Sequence, residues 1–287
     1  MGGNEIMKTV KKDNPNRGLS FLYNTYLGRI ILKPLVKNKL FSNVVASFMN
    51  SKLSKIMIKP FIKKHNINMD DFVKENYDCF NDFFIRKIKK EVRDIDKDKR
   101  SFIAPCDSKL TCYKITKDLV FNIKNSIYSI SSITNDDNIS DYFKDGYALV
   151  FRLSPEDYHR YMFLDDGKII NNYKIKGKYH SVNPISYDKF KVFKENAREC
   201  TLMKCKNFNN IMYIEVGALL VGKINNIKKS GTFKKAEEKG YFMYGGSTIV
   251  VLVGKNTVKM DKKIITNSLK NIETSVKCGE KIGEKID

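Results

Sequence analysis

Gly245-Gly246-Ser247-Thr248 runs directly into Ile249-Val250-Val251-Leu252-Val253, near the C-terminus of a 287-residue chain. Two successive glycines let the backbone adopt conformations that a Cβ forbids. The five residues after Thr248 are β-branched or leucine, the composition of a buried strand. The stretch therefore predicts a strained turn feeding a rigid core strand, with a serine hydroxyl at the junction. A hydroxyl placed there can fold back on the preceding carbonyl. Such turns are common, so the meaning of this one depends on the rest of the chain.

Upstream of the turn, short β-rich segments are separated by Gly, Asn and Asp from Ser101 onward, as at 147–153, 161–164, 168–175 and 212–224. Asp166-Gly167, between two apolar runs, predicts a type I′ hairpin. Further upstream the period changes. Leu19, Leu22, Tyr23, Tyr26, Leu27, Ile30 and Ile31 form one stripe of a helix, which Pro34 ends or kinks. A second helical pattern runs through Val36, Leu40, Val44, Val45 and Phe48, and a third carries Leu53, Ile56 and Met57 to Pro60. A short helix is expected in 70–90, and the charged stretch 87–100 reads as a connector. The expected fold class is α+β: a mainly β catalytic domain over 101–287, a basic helical layer with its connector over 18–100, and a disordered tail over 1–17. No repeat of solenoid period is present.

Charge narrows the partners. Against 32 Asp+Glu stand 53 Lys+Arg, a formal net charge of +21. That excess attracts polyanions, either nucleic acid or an anionic bilayer, although abundant Lys, Asn and Ile also fit a compositional bias. Arg29, Lys33, Lys37, Lys39, Lys52, Lys55, Lys59, Lys63 and Lys64 border the apolar stripes, a pattern suited to an interfacial helix and equally to a helical layer with a solvated basic face. No apolar run approaches the ~20 residues needed to span a bilayer, and the N-terminus lacks the pattern of a cleavable signal. The six cysteines show no Cys-x-x-Cys spacing and there are three histidines, so no metal site is expected and free thiols are.

Four side chains can carry chemistry. Ser247 is the candidate nucleophile. His159, in Ser154-Pro155-Glu156-Asp157-Tyr158-His159-Arg160, and His180, in Tyr179-His180-Ser181-Val182-Asn183-Pro184, are candidate bases. Asp107, in Pro105-Cys106-Asp107-Ser108, is a candidate carboxylate. Together Ser, His and Asp make an activated nucleophile: the imidazole takes the hydroxyl proton and the carboxylate fixes its tautomer. The Gly-x-Ser-x-Gly elbow of many serine hydrolases is absent.

The order of these segments resembles phosphatidylserine decarboxylase, the pyruvoyl enzyme family of phospholipid synthesis, from about Leu19 to Val253. The resemblance is carried in order by Phe80-Asn81-Asp82-Phe83-Phe84-Ile85-Arg86-Lys87, Pro105-Cys106-Asp107, the His159 segment, Ser181-Val182-Asn183-Pro184, Asn196-Ala197-Arg198, Val216-Gly217-Ala218 with Val221-Gly222, and Gly245-Gly246-Ser247-Thr248. Three positions depart from the family's usual pattern. Ser108 stands for a glycine, Ala197 for a glutamate, and Met162 for a second histidine three residues after the first. The last departure leaves open whether His159 or His180 assists serine attack.

The resemblance implies a lyase made as a zymogen. Autocatalytic serinolysis at Gly246-Ser247 would leave a long chain and a short chain held as a heterodimer. Ser247 would become a covalent pyruvoyl cofactor that converts phosphatidylserine to phosphatidylethanolamine. It also implies peripheral attachment to the cytoplasmic side of the cell membrane, with a homodimer left open. The alternatives are a homologue that binds anionic lipid without catalysis, and a basic nucleic-acid-binding protein. The second lacks any recognised motif.

Overall fold

The computed structural model describes residues 9–10, 17–37, 39–123, 126–187, 189–218, 224–245 and 247–286. Its centre is the strand Ser247–Val253, buried at every position. This strand lies fifth in a nine-stranded sheet. The order is Thr9–Val10, Glu273–Val276, Ser108–Lys114, Tyr147–Leu153, Ser247–Val253, Asn209–Val216, Arg198–Cys205, Gly167–Ile175 and Thr232–Phe233. Every neighbouring pair is antiparallel.

Side chains alternate across the sheet. Ile249, Val251 and Val253 face a core shared with Leu110, Phe151 and Tyr213. Val250 and Leu252 face a second core with Val150, Met212 and Ile214. A strand with a core on each face needs the unbroken apolar composition that the sequence shows. Two three-stranded sheets cover the first face: Ile224–Asn226, Glu238–Phe242 and Arg160–Met162 form one, and Val258–Met260, Lys281–Lys285 and Ser101–Ile103 the other. The architecture is α+β with a dominant β portion.

The first helical stripe is two helices, α1 (Arg17–Asn24) and α2 (Tyr26–Lys37). Thr25 makes the break. Its hydroxyl donates to Phe21 O at 2.8 Å and accepts the Gly28 N–H at 2.9 Å. A Cβ on Gly28 would sit 2.1 Å from Phe21 O, so glycine permits the close approach. Pro34 does not end α2, which continues to Lys37. The carbonyl that proline leaves without a donor is that of Ile30, an exposed residue where water can serve. The second stripe is α3 (Lys39–Met49); the third is a 3₁₀ turn, Lys52–Met57, leading into α4 (Ile58–His65). The helix expected in 70–90 is short, α5 (Phe80–Phe84).

Two other expectations differ from the structure. Thr9 and Val10, in the stretch expected to be disordered, pair with Thr274 and Glu273 at the sheet edge. Asp166-Gly167 is not a hairpin turn, because Arg160–Met162 pairs with Glu238–Phe242 whereas Gly167–Ile175 pairs with Arg198–Cys205. The turn carboxylates serve other loops instead. Asp165 accepts from Asn207 N–H and Asp166 from Lys235 N–H.

Candidate active site

Ser247 opens the central strand opposite Leu153, and Thr248 pairs with Val216 on the other side. Gly245 has φ 135°, a region that favours glycine. Gly246, like Val221 and Gly222 of the sequence motifs, lies outside the described residues. The turn is clamped from the helical layer. Tyr244 N–H donates to Asn81 Oδ1 at 2.9 Å, and Asn81 Nδ2 donates to Asn50 Oδ1 at 3.0 Å. The Tyr244 ring meets Phe80 and Phe84 edge-on, with centroids 5.0 and 5.4 Å away. The Phe80–Phe84 motif therefore holds the backbone that delivers Ser247.

His159 lies against this turn, its carbonyl accepting the Phe242 N–H at 3.0 Å. Its Nδ1 is 3.2 Å from Ser247 Oγ, and its Nε2 is 3.0 Å from Ser154 O. A carbonyl oxygen only accepts, so this arrangement puts the proton on Nε2 and leaves the Nδ1 lone pair facing the serine hydroxyl. Both residues are fully buried, and the imidazole packs 4.1 Å from the Phe84 ring. Burial first, then the charge of Arg86, push the His159 pKa down to about 3. The ring is therefore neutral near pH 7 and free to accept a proton.

The Ser154 carbonyl is itself fixed. Asp157 N–H donates to it at 3.0 Å, and the Asp157 carboxyl accepts Ser154 N–H at 2.7 Å. Burial pushes the Asp157 pKa up to about 7.

Asp107 occupies a different set of contacts from the one expected. Its carboxylate accepts from Arg93 Nη2 at 2.5 Å and from Cys278 N–H at 2.8 Å, with Lys277 Nζ at 3.6 Å. Both ring nitrogens of His159 are already taken up by Ser247 and Ser154, so the carbonyl of Ser154 stands where the carboxylate of a triad would. Asp107 is linked to the site through its loop: Pro105 O accepts Met162 N–H at 3.0 Å, two residues past Arg160.

His180 does not meet Ser247. Its ring stacks on Phe190 at 4.1 Å, and its carbonyl accepts Asn196 Nδ2 at 2.7 Å. Burial lowers its pKa to about 4. Arg198, three residues from a helix end, donates to the carbonyls of Ile133 and Lys194, which ties helix termini to the sheet. Sequence reading alone missed Asn81, Ser154 and Asn196 as positioning groups, though all three sit inside the quoted motifs. Among the described residues, no three His, Cys, Asp or Glu side chains are grouped to hold a metal ion.

The lowered histidines have a measurable consequence. Between its native pKa and its unfolded value near 6.5, each histidine binds a proton only when unfolded, so stability falls as pH falls through that window. Asp157, with a raised pKa, acts in the opposite sense below about 7. Replacing His180 with Phe, in the uncleaved Ser247→Ala background, should remove about one proton from the uptake on unfolding near pH 5. That flattens the acid loss of stability by about 1.4 kcal/mol per pH unit. Denaturant melts at pH 5 and 6 check this, and identical slopes for the two chains would contradict it.

The family model described as phosphatidylserine decarboxylase matches residues 80–284. Phosphatidylserine decarboxylase proenzyme 2 of Clostridium acetobutylicum is 48% identical over 277 residues, 96% of this chain and 95% of that protein. The phosphatidylserine decarboxylase proenzyme of Clostridium kluyveri is 41% identical over 272 residues, 93% of this chain and 92% of its own. That of Clostridium botulinum (strain 657) is 39% identical over 281 residues, 96% and 95% of the two chains. With the matching domain spanning most of its length and relatives of this similarity covering nearly all of it, the chain belongs to the phosphatidylserine decarboxylase family.

Proposed function

We propose that the chain is made as a proenzyme, cuts itself between Gly246 and Ser247, and then decarboxylates phosphatidylserine to phosphatidylethanolamine. The observation that carries this is the buried contact of Ser247 Oγ with a neutral His159. His159 Nδ1 takes the hydroxyl proton as Oγ attacks the Gly246 carbonyl carbon. The Gly246–Ser247 C–N bond breaks, the imidazolium returns its proton to the nitrogen, and an ester replaces the peptide. Loss of the Ser247 Cα proton expels the Gly246 carboxylate and leaves dehydroalanine. Water then releases ammonia and leaves a pyruvoyl group at the head of the short chain.

The residues fit such a group. Its source hydroxyl is buried beside a base with a free lone pair. When present, the pyruvoyl carbonyl supplies the partner for the substrate amine and the sink for the electron pair left by carbon dioxide. Residues 248–253, paired to strands on both sides, hold the short chain in place after the cut. The experiment is release of labelled carbon dioxide from carboxyl-labelled phosphatidylserine in mixed micelles, with and without borohydride. Activity should appear with phosphatidylethanolamine and be lost on reduction. Activity indifferent to a carbonyl reagent would overturn the reading.

We also infer that 18–100 attaches the protein peripherally to the inner face of the cell membrane. No helix among the described residues is long and apolar enough to cross a membrane. Tyr26, Leu27, Leu53 and Ile56 are exposed at 76, 59, 73 and 77%, and exposed Lys52, Lys55 and Lys59 flank the last two. Apolar side chains ringed by cations fit the surface of an anionic bilayer. Deleting these helices would uncover the partners of buried Tyr23, Leu32 and Met49, so surface substitution is the cleaner test. Changing Leu27, Leu53 and Ile56 to Ser should weaken flotation with anionic vesicles at least tenfold and leave self-cleavage intact. Unchanged flotation would make the layer structural.

A further inference from the structure

The face of the sheet that Ser247 shares with Ile249 also carries a fully buried ion pair. Lys239 Nζ donates to Glu215 Oε1, and both side chains are 0% exposed. We propose that this pair fixes the register of Glu238–Phe242 and so positions His159 against residue 247, an assignment that rests on the decarboxylase reading of Ser247. Side chains buried this completely do not touch substrate, so both act as positioning residues.

A buried ion pair is a weak source of stability, because desolvating two charges costs about what their attraction returns. Its best-attested use is to select one register over another. Lys239 sits where a register needs selecting. It is the extra residue of a β-bulge, since Glu238 pairs with Met162 and Gly240 with Tyr161. A slip of one residue would turn Lys239 out of the core and leave Glu215 buried without its cation. Asn226 reinforces the choice. Its Oδ1 accepts from Lys239 Nζ at 2.8 Å and from Tyr161 Oη at 3.2 Å, and its Nδ2 donates to Glu215 Oε2 at 3.3 Å. Glu199, directly across the sheet from Glu215, has its own cation in Lys174, 3.6 Å away.

The register set at Lys239 runs straight to the base. Past the bulge, Tyr241 pairs with Arg160, and Phe242 N–H donates to His159 O at 3.0 Å. Glu215 is tied to the nucleophile's side: it stands opposite Ile249, two residues after Ser247. The pair therefore joins the strand that holds His159 to the strand that flanks Ser247. In the uncut chain, residues 243–246 make the same connection through covalent bonds. A cut after Gly246 removes that tie seven residues past Lys239 and leaves Lys239 and Glu215 together on the long chain. From then on the pair holds the new chain end, and His159 with it.

The test replaces the pair with apolar side chains of similar size, Glu215→Leu with Lys239→Met. A second chain, Glu215→Gln with Lys239→Met, keeps an oxygen for Asn226 Nδ2. In the uncleaved Ser247→Ala background, both should melt close to or above the Ser247→Ala parent, because apolar replacement of a buried pair is often neutral or stabilising. With Ser247 present, both should cleave themselves at least about tenfold more slowly, a rate loss expected when reacting groups are slightly misplaced. In the protein that does cleave, kcat should fall by at least as large a factor, with KM within about twofold. A pair that served the fold alone would cost no rate once the melt is recovered. Wild-type cleavage and kcat in either folded chain would overturn the proposal. Unfolding of both chains would also overturn it, by making the pair a folding element. Failure of the Ser247 reading would show separately, as a single uncleaved chain in the wild-type control.

Discussion

Ser247→Ala is expected to stay in one piece and to show no decarboxylase activity. On the proposed mechanism the substitution removes two things at once: the oxygen that would attack Gly246 and the atoms from which the reactive carbonyl would be made. No neighbouring group can replace both. The fold should survive, because the lost hydroxyl makes one hydrogen bond to His159, an interaction worth about 1 kcal/mol, while the strand keeps its pairing on both sides. Denaturing gel electrophoresis with a parallel melt checks this. Two chains from the Ala variant would place the cut elsewhere, and an unfolded variant would be seen in the melt.

The second large effect belongs to His159. Removing the base from the serine should slow self-cleavage by at least about 100-fold, the lower end of what a positioned general base contributes. His159→Ala should therefore accumulate precursor, measured as the fraction of intact chain against time after synthesis. Asp107→Ala should slow cleavage less. Its carboxylate steadies Arg93, the Cys278 N–H and, through the Pro105 loop, the strand after His159. His180→Phe should cleave near the wild-type rate, because its imidazole stacks on Phe190 and does not meet Ser247. Wild-type processing in His159→Ala would remove that residue from the role of base.

Much of this was legible in the residues. The buried strand after Ser247 declared itself by five β-branched or leucine positions, and the α+β organisation followed from the change of apolar period near Ser101. The pairing of His159 with Ser247 depends on contacts 88 positions apart, which no local pattern encodes. The group that sets the His159 tautomer is a main-chain carbonyl, and every residue has one, so Ser154 carries no mark in the sequence. Asp107 was read as the carboxylate of a triad because that residue type often fills the role. Burying it beside Arg93 gave its charge a nearer partner. The hairpin expected at Asp166-Gly167 failed because its turn chemistry was spent on Lys235 and, one residue earlier, Asn207. The break at Thr25 was hidden by an apolar stripe that continues across it, since a threonine hydroxyl can cap a helix without interrupting its hydrophobic period.

The central claim, that Ser247 becomes the reactive group by cutting the chain before itself, is tested most directly by the intact mass of the purified wild-type protein under denaturing conditions. The account predicts two chains, one ending at Gly246 and a shorter one whose first residue, derived from Ser247, resists Edman degradation and gains mass on borohydride reduction. A single uncleaved chain in a preparation that decarboxylates phosphatidylserine would contradict it.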